Sequence, residues 1–160
     1  MYHTILLAVA LQRWDRYSAH ALAARDVATA FARATSKPLH VLSAYEYEYM
    51  RTTPEITTEL QAKLRQESIH QTDSLMIGKF DEYVAPLLAA GIEVSKILRA
   101  GDPREIIVQV ATSIQADLLI MGSHSKRGLL DIVLGGTAQQ VSKSAPCLVV
   151  LVSPKKEEGG

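Results

Sequence analysis

Five short apolar segments, rich in leucine and β-branched residues, alternate with longer amphipathic segments along the chain. They predict strands at residues 4–10, 39–44, 92–98, 117–121 and 147–152. Three of the segments, ILLAVA, LLIM and CLVVLV, are nearly continuous apolar runs rather than alternations of apolar and polar residues. Such runs are typical of strands that are buried on both faces, as in parallel sheets.

The segments between the strands carry the capping and periodicity signals of helices. Ser18 is a predicted N-cap for a helix that runs to about Thr35. Its predicted buried stripe consists of Leu22, Val27, Ala30, Phe31 and Ala34. Asp102 and Pro103 are the predicted cap and first turn of another helix, and a last helix is predicted at residues 136–144.

The longest helical pattern starts at Pro54, for which Thr52 or Thr53 is the predicted cap. It ends at Gly91, a residue suited to the left-handed position that follows many helices. Pro86 is expected to kink the last turn. One face of this helix is predicted to hold the apolar residues Ile56, Leu60, Leu64, Ile69, Leu75, Phe80, Val84 and Leu87.

The order of these elements, β-α-β-α-β-α-β-α-β, predicts an α/β fold: a single, doubly wound parallel sheet with helices on both faces and right-handed crossovers. A chain of 160 residues suits one domain, which we assign to residues 1–153, with a flexible C-terminal tail at residues 154–160. The segment YEYEY at residues 45–49 is predicted to be the exposed end of the second strand. A surface that contacts a ligand or a partner is the alternative for that segment.

Charge and composition narrow the classes of function. Seventeen basic residues balance seventeen acidic ones, whereas proteins that bind nucleic acid usually carry a basic excess, so we expect no nucleic-acid partner. The apolar start of the chain is too short to span a membrane and has no basic region or cleavage site, so we expect a cytoplasmic protein without a membrane partner. The single cysteine, Cys147, cannot form an internal disulfide and is expected to be a small buried residue.

The strongest candidate for chemistry is the glycine-marked loop that follows the fourth predicted strand. Gly122 leaves that strand, and residues 135–137, Gly-Gly-Thr, open the last helix. A helix amino terminus with small residues offers free N–H groups and the positive end of the helix dipole, which together attract anions. Ligands of open α/β sheets bind outside the carboxyl ends of the strands, so the end of the first strand, residues 9–11, is a second candidate segment. The loop is neither a Walker A loop nor a dinucleotide fingerprint.

Several motifs along the chain resemble the universal stress protein (UspA-type) family. They are ILLAV in the first strand, G-D-P-x-x-x-I-x-x-x-A at residues 101–111, A-D-L-L-I-M-G-S-H at residues 116–124, L-G-G-T-A-x-x-V at residues 134–141 and A-P-C-L-V-V at residues 145–150. The resemblance implies the adenine nucleotide alpha hydrolase-like fold, a five-stranded parallel sheet of order 3-2-1-4-5. It also implies a stress-response protein that forms a homodimer through its last strand, from Pro146 to Val152.

The same resemblance implies a regulatory ligand, which is ATP, ADP or AMP, with Mg²⁺ present only alongside ATP. The phosphates are expected on residues 122–125 and 135–137, and the base and ribose between the ends of strands one and four. The site residues implied in this way are Val9, Ala10, Val41, Met121, Gly122, His124, Ser125, Gly135, Gly136, Thr137 and Ala138.

Three of these positions depart from the pattern of the ATP-binding members, which carry G-x2-G-x9-G-[ST] in the loop. Ser125 stands at the second glycine, and Gly136 stands at the serine or threonine, with Thr137 one position later. At the end of strand one, where these members usually carry an aspartate, this chain has Ala10. Two interpretations therefore stay open: a dimer regulated by an adenine nucleotide, and a dimeric signalling or scaffold protein without one.

Catalysis and metal binding find little support in the sequence. A slow ATPase needs a general base, for which His124 is the obvious candidate, but we assign no catalytic residue. A serine hydrolase needs a G-x-S-x-G elbow, which the chain lacks. The histidines show no spacing typical of a metal site, so we expect no bound metal of the protein's own. Protein partners are expected, although no motif identifies them.

Overall fold

The computed structural model of the protein describes residues 2–12, 18–51, 55, 58–123, 125–127 and 132–154; for residues 51, 125–127 and 132–134 it describes the backbone alone. The strands are β1 (Ile5–Ala8), β2 (Leu39–Tyr45), β3 (Val94–Ala100), β4 (Leu118–Gly122), β5 (Ser125–Arg127), β6 (Ile132–Leu134) and β7 (Leu148–Val152). The helices are α1 (Ala19–Thr35), α2 (Glu48–Arg51), α3 (Glu59–Ala89), α4 (Pro103–Ser113) and α5 (Gly136–Ser144).

Five of the strands form one parallel sheet of order β3-β2-β1-β4-β7. This is the order 3-2-1-4-5 that the family resemblance implies, so the predicted fold class is confirmed. The chain moves outward from β1 to β3 on one side and then from β4 to β7 on the other. The strand order therefore reverses between β1 and β4, and their carboxyl ends flank the switch point where such sheets bind ligands.

Two apolar layers cover the two faces of the sheet. Successive residues of a strand point to opposite faces, so β1 buries Ile5 and Leu7 in the layer of α1 and α3. It buries Leu6 and Ala8 in the layer of α4 and α5. Burial on both faces explains why the central strands are continuous apolar runs in the sequence.

Helix α1 contacts the sheet through small residues rather than through its predicted stripe. Its buried residues are Ala21, Ala24, Ala28 and Ala32. Leu22, Ala30 and Ala34 of the predicted stripe are exposed. Tyr83 of α3 is buried, and its hydroxyl donates a 2.6 Å hydrogen bond to the carbonyl of Ala21. The small alanine side chains let the helix approach the sheet and this tyrosine closely. Hydrophobic periodicity alone does not predict that the alanine face, rather than the face with larger residues, is buried.

Only the second half of helix α3 is buried, which indicates that its first half extends beyond the sheet. It has 31 residues, a length of about 46 Å, and its buried residues are Met76, Phe80, Tyr83, Val84 and Leu87. Leu60, Leu64 and Leu75 are 66%, 54% and 55% exposed. The predicted single apolar face is wrong, because Leu60 and Phe80 lie about 160° apart around the helix axis. Ile56 lies outside the described residues.

Both ends of α3 have recognisable caps. Thr58 caps its start in a capping box with Gln61, so the helix begins after the predicted position. The predicted caps and first turn, residues 52–54, lie outside the described residues. Gly91 follows the helix with a φ of +78°, which confirms its predicted role. The helix continues through Pro86 to its last residue.

Helices α4 and α5 lie where the sequence predicts them, whereas α2 begins within the segment that is predicted to be the exposed end of the second strand. Asp102 caps α4 by accepting a 3.0 Å hydrogen bond from the N–H of Arg104, and α5 has the predicted bounds. Cys147 is partly buried before β7, and burial raises the pKa of its thiol. The strands β5 and β6, by contrast, form an antiparallel pair that the sequence analysis did not predict.

A cluster of tyrosines ties the extended part of α3 to the end of β2. Tyr45 is buried, contrary to the predicted exposed strand end. The hydroxyls of Tyr45 and Tyr47 both donate to Oδ1 of Asp73, at 2.6 and 2.5 Å. Tyr49 stacks on Tyr47 with ring centroids 5.6 Å apart, and the guanidinium of Arg65 lies 4.7 Å from the Tyr49 centroid. These contacts anchor α3 above the carboxyl edge of the sheet.

This cluster predicts an acid-sensitive contribution to stability. The hydrogen bonds from Tyr45 and then Tyr47 hold the pKa of Asp73 below its usual value, which is about 3.9 in unfolded chains. The contribution is therefore complete above about pH 4 and is lost as the pH falls through the lower, folded-state pKa. Asp73→Asn should lower the free energy of unfolding by about 1 kcal/mol at pH 7 and flatten its decline in acid.

Urea unfolding between pH 3 and pH 7 measures both effects. Asp81→Asn is the matched control, because the carboxylate of Asp81 pairs at 3.1 Å with Lys96 on the exposed surface. A decline below pH 4 that is as steep in Asp73→Asn as in the unsubstituted protein contradicts the prediction.

Candidate functional site

The candidate site lies at the carboxyl ends of β1 and β4. The register of the sheet places Ala8 level with Leu42 of β2 and with Met121 of β4. Beyond this level, the N–H of Val9 donates to the Leu42 carbonyl at 2.9 Å, and the Val9 carbonyl accepts a 2.9 Å hydrogen bond from the hydroxyl of Ser43. The backbone at the end of β1 is therefore held firmly against β2.

The residues predicted to frame the base and ribose differ in their access to solvent. Ala10 is exposed, whereas Val9 is 8% and Met121 5% exposed. Val41 is fully buried and pairs with Leu7 in the middle of the sheet, below the edge. The structure thus assigns the side chain of Val41 to the core, and its contact with an adenine ring stays a prediction.

Side chains from two other elements hold the chain that follows β1. Gln12 exchanges two hydrogen bonds with the backbone of Glu46: its amide nitrogen donates to the carbonyl at 2.7 Å, and its Oε1 accepts from the N–H at 2.9 Å. The Nζ of Lys79 donates to the carbonyls of Leu11 and Gln12 at 3.3 and 3.4 Å. These bonds fix Ala10 at the rim of the site, where ATP-binding members of the resembled family carry an aspartate.

Gly122 has a packing role in addition to its predicted one. A Cβ at this position would lie 2.9 Å from the Cβ of His20 and 3.0 Å from the His20 carbonyl oxygen. The glycines described with positive φ are Gly91 and Gly101, so Gly122 is not needed for a left-handed turn. Its missing side chain instead lets the first turn of α1 pack against the end of β4.

The β5–β6 pair brings the two halves of the glycine-marked loop together. Ser125 pairs with Leu134, and the next residue, Gly135, is the N-cap of α5. The backbone of Ser125 therefore lies beside the start of α5, which joins the two groups of predicted phosphate-binding residues. His124 lies outside the described residues, and the side chain of Ser125 is not described.

No side chain among the described residues caps the amino end of α5. Gly135 precedes the helix in an extended conformation, and the first helical hydrogen bond runs from the N–H of Gln139 to the Gly135 carbonyl at 3.0 Å. The N–H groups of Gly136, Thr137 and Ala138 therefore have no acceptor within the helix. A Cβ on Gly136 would meet no atom of the described residues within 4 Å, so these residues leave the space in front of it open. This arrangement is suited to binding an anion.

Ser123 belongs to this site, although the sequence analysis did not single it out. The residue is 2% exposed, and its hydroxyl has no hydrogen-bond partner among the residues that the structure describes. Its N–H donates to the carbonyl of Val152 at 2.9 Å, at the carboxyl edge of the sheet. Leaving a hydroxyl buried and unpaired costs about 1–3 kcal/mol. Serine beside glycine is ordinary in a loop, so only its burial distinguishes it.

The described chain has further features that do not involve the predicted site residues. A shallow groove of about 370 Å³ separates α4 from α5, with Glu105, Gln109 and Gln140 in its walls. The described residues include no cluster of three or more histidine, cysteine, aspartate or glutamate side chains placed to hold a metal ion. Within the same residues, no helix is long and apolar enough to cross a bilayer.

Comparison with known proteins assigns the chain to a family. The sequence model of the universal stress protein family matches residues 1–153. The chain belongs to this family. A universal stress protein of Thermus aquaticus, encoded in the 3′ region of the QAH/OAS sulfhydrylase gene, is 33% identical over 155 residues, which cover 95% of this chain and 99% of that protein.

Two universal stress proteins of Methanocaldococcus jannaschii match over shorter segments. MJ0577 is 32% identical over 102 residues, which cover 62% of this chain and 58% of that protein. MJ0531 is 41% identical over 68 residues, which cover 42% of this chain and 40% of that protein. The chain thus aligns with about two-fifths to three-fifths of the length of these relatives.

Solved structures share the fold. MJ0577 superimposes with a TM-score of 0.63 at 27% identity, covering 98% of this chain and 99% of that one. An Archaeoglobus fulgidus universal stress protein in complex with dAMP has a TM-score of 0.58 at 18% identity, and the superposition covers 94% of this chain and 97% of that one. An Arabidopsis thaliana family member with AMP bound has a TM-score of 0.61 at 16% identity, and the superposition covers 98% of this chain and 95% of that one. A universal stress protein in complex with cAMP has a TM-score of 0.61 at 18% identity, and the superposition covers 97% of this chain and 100% of that one.

The close approach of α1 to β4 predicts that Gly122→Ala destabilises the protein. The new Cβ would force α1 away from the end of β4, because its neighbour at 3.0 Å is a backbone oxygen. We expect a loss of about 1–3 kcal/mol in the free energy of unfolding, measured by urea denaturation. Gly136→Ala is the matched control: the same methyl group enters open space at a helix start, so stability should stay equal or rise by up to about 1 kcal/mol. Equal losses in both variants would show that the contact with His20 is not the cause.

Proposed function

We propose that this universal stress protein binds an adenine nucleotide, which is ATP, ADP or AMP, as a regulatory ligand at the carboxyl ends of β1 and β4. The observation that carries the proposal is the uncapped amino end of α5 beside the switch point. Phosphoryl oxygens are the acceptors that the N–H groups of Gly136, Thr137 and Ala138 lack, and the helix dipole favours their negative charge. The AMP, dAMP and cAMP complexes of proteins with this fold support an adenine nucleotide as the ligand class.

The nucleoside is expected to lie over the end of β1. The backbone of residues 9–12 is held there by Gln12 and Lys79, so it offers a preorganised surface to the sugar. Ala10 supplies no carboxylate for the ribose hydroxyls, which predicts weaker binding than in members with an aspartate at this position. We propose bound Mg²⁺ only together with ATP, whose phosphates coordinate the ion.

The proposed role is that of a cytoplasmic stress-response protein in which the nucleotide changes the binding of protein partners rather than being consumed. A homodimer through β7 is part of the proposal. β7 pairs with β4 along one edge, and Leu148 at its start is 53% exposed. Pairing with β7 of a second copy would cover this apolar edge in a twofold-symmetric interface.

A dimeric signalling or scaffold protein without a nucleotide is the second candidate. The three departures from the ATP-binding pattern favour it. Ser125 places a side chain where the pattern has none, Gly136 lacks a hydroxyl, and Ala10 lacks a carboxylate. Losses of about 1.4 kcal/mol each weaken binding tenfold apiece, which is enough to remove a modest affinity.

Restoring the missing groups should strengthen nucleotide binding. Gly136→Ser returns a hydroxyl to a position with open space around it, and Ala10→Asp returns a carboxylate to an exposed position. Each variant is expected to lower the dissociation constant for ATP roughly tenfold, the effect of one added hydrogen bond of about 1.4 kcal/mol. Isothermal titration calorimetry of the two single variants and their double variant measures this.

Gly78→Ser is the matched control for these variants. It adds the same hydroxyl at another glycine with open surroundings, on α3, and should leave the affinity for ATP unchanged. If neither the unsubstituted protein nor the double variant binds ATP, ADP or AMP at millimolar concentration, the nucleotide proposal fails and the scaffold function is favoured.

The proposed dimer predicts that Leu148→Glu yields monomers. A β7–β7 interface would bury the new carboxylate at the start of β7 without a partner, and the free-energy cost of burying an unpaired charge would prevent dimerisation. Sedimentation equilibrium at about 20 μM should show a dimer for the unsubstituted protein and a monomer for this variant. Leu64→Glu, at a leucine on α3 that is 54% exposed, should remain dimeric. A monomeric unsubstituted protein would overturn the proposed interface.

A further inference from the structure

We infer that the outward side of α3 is a self-association surface, on which α3 pairs in antiparallel orientation with α3 of a second copy of the chain. This surface carries Leu60, Leu64 and Leu75, and we call it the leucine face. The inference goes beyond the proposed function, because it involves neither the nucleotide site nor β7. Three observations carry it: the position of the leucines around the helix, the anchoring of the helix half that bears them, and the charges beside them.

The exposed leucines lie on one side of α3. At about 100° per residue, Leu60, Leu64 and Leu75 fall within about 60° of one another, and the residues that meet the sheet lie on the opposite side. Each of the three leucines is more than half exposed. Lysine, glutamate or glutamine would favour the helix about as well, so helix propensity does not account for leucine at these positions. Aligned, exposed apolar side chains are instead typical of a surface that binds another protein.

The half of α3 that carries Leu60 and Leu64 is held in place from its other side. The guanidinium of Arg65 lies on the ring of Tyr49, and Asp73 accepts hydrogen bonds from two phenols. Arg65 and Asp73 each lie about 140° around the helix axis from Leu60, so these anchors leave the leucine face uncovered. A helix that is already fixed loses little conformational freedom on binding, so the face is preorganised for a partner.

The charges beside the leucines indicate that this partner is a second copy of α3. Lys63 and Glu67 are exposed, have opposite charges and lie one turn apart along the same border of the leucine face. In an antiparallel pair whose twofold axis passes between residues 65 and 66, Lys63 of each copy lies within about 2 Å, along the helix, of Glu67 in the other copy. The same register brings the two Leu64 side chains together at the centre. A parallel pair would instead place like charges opposite each other.

The position of α3 in the fold leaves the leucine face accessible when β7 is paired. α3 packs against β2 and β3, at the opposite end of the sheet from β7. Residues 59–71 span about 20 Å of helix, so the contact is smaller than the roughly 800 Å² per partner of a standard interface. The leucine face is therefore a weak interface, which joins two β7-linked dimers at high protein concentration.

Sedimentation equilibrium at about 20 μM and about 500 μM tests the inference, because these concentrations bracket the weak association expected of a small interface. The unsubstituted protein should have the mass of a dimer at the lower concentration and approach the mass of a tetramer at the higher one. Leu64→Glu should remain a dimer at both. Leu88→Glu, at a leucine that is 52% exposed near the other end of α3, is the matched control and should associate as the unsubstituted protein does.

An exchange of charges tests the antiparallel register. Lys63→Glu removes two ion pairs and creates two like-charge contacts by symmetry, so the association at 500 μM should weaken about 10-fold. The double variant Lys63→Glu/Glu67→Lys restores both opposite-charge contacts and should associate as the unsubstituted protein does. A double variant that associates no better than Lys63→Glu overturns the antiparallel pairing.

The outcomes also separate this inference from the proposed β7 interface. With both interfaces present, Leu148→Glu is a monomer at 20 μM and forms dimers through the leucine face at 500 μM. If the unsubstituted protein is itself monomeric at 20 μM and dimeric at 500 μM, and Leu64→Glu abolishes the dimer, the β7 interface fails and the inference stands. An unsubstituted protein of equal mass at both concentrations overturns the inference, as does Leu64→Glu protein that still forms tetramers.

Discussion

Burial of β1 on both faces is the constraint on which the rest of the structure depends. A strand between two parallel neighbours satisfies its backbone in the sheet, but its side chains need an apolar cover on each side. α1 and α3 supply one cover, and α4 and α5 supply the other. Parallel strands also require crossover helices, which return the chain to the same edge each time. All five carboxyl ends therefore meet at one edge, and the only reversal of strand order in this sheet lies beside β1.

At that edge, two adjacent residues differ in what they contribute to packing. At Gly122 the chain gives up a side chain so that α1 can approach, and one residue later Ser123 keeps a hydroxyl that finds no partner in the described chain. The close packing at Gly122 stabilises the fold, whereas the buried, unpaired hydroxyl of Ser123 destabilises it.

The extended half of α3 adds a second layer above the same edge. Asp73 receives two phenol hydrogen bonds there, and the stacked rings of Tyr47 and Tyr49 connect it to α2. The carboxyl edge is therefore bordered on the β2 side by an anchored helix rather than by an open loop. The outer leucines of this helix stay exposed in the single chain, because the face that carries them is opposite to the one that meets the sheet.

The amino-acid sequence by itself determined the five strands of the parallel sheet, the helices α1, α4 and α5, the fold class and the family, because these depend on local periodicity, capping residues and short motifs. It also located the glycine-marked loop and the end of β1 as the candidate site. The tertiary structure decided which face of α1 and of α3 is buried, why Gly122 must be glycine, and that the Ser123 hydroxyl has no hydrogen-bond partner among the described residues. Each of these depends on atoms that are distant in sequence: the alanines of α1 meet Tyr83, and Gly122 meets His20. Hydrophobicity reports how much a residue favours burial, but only packed neighbours determine where it is buried and whether its polar atoms are paired.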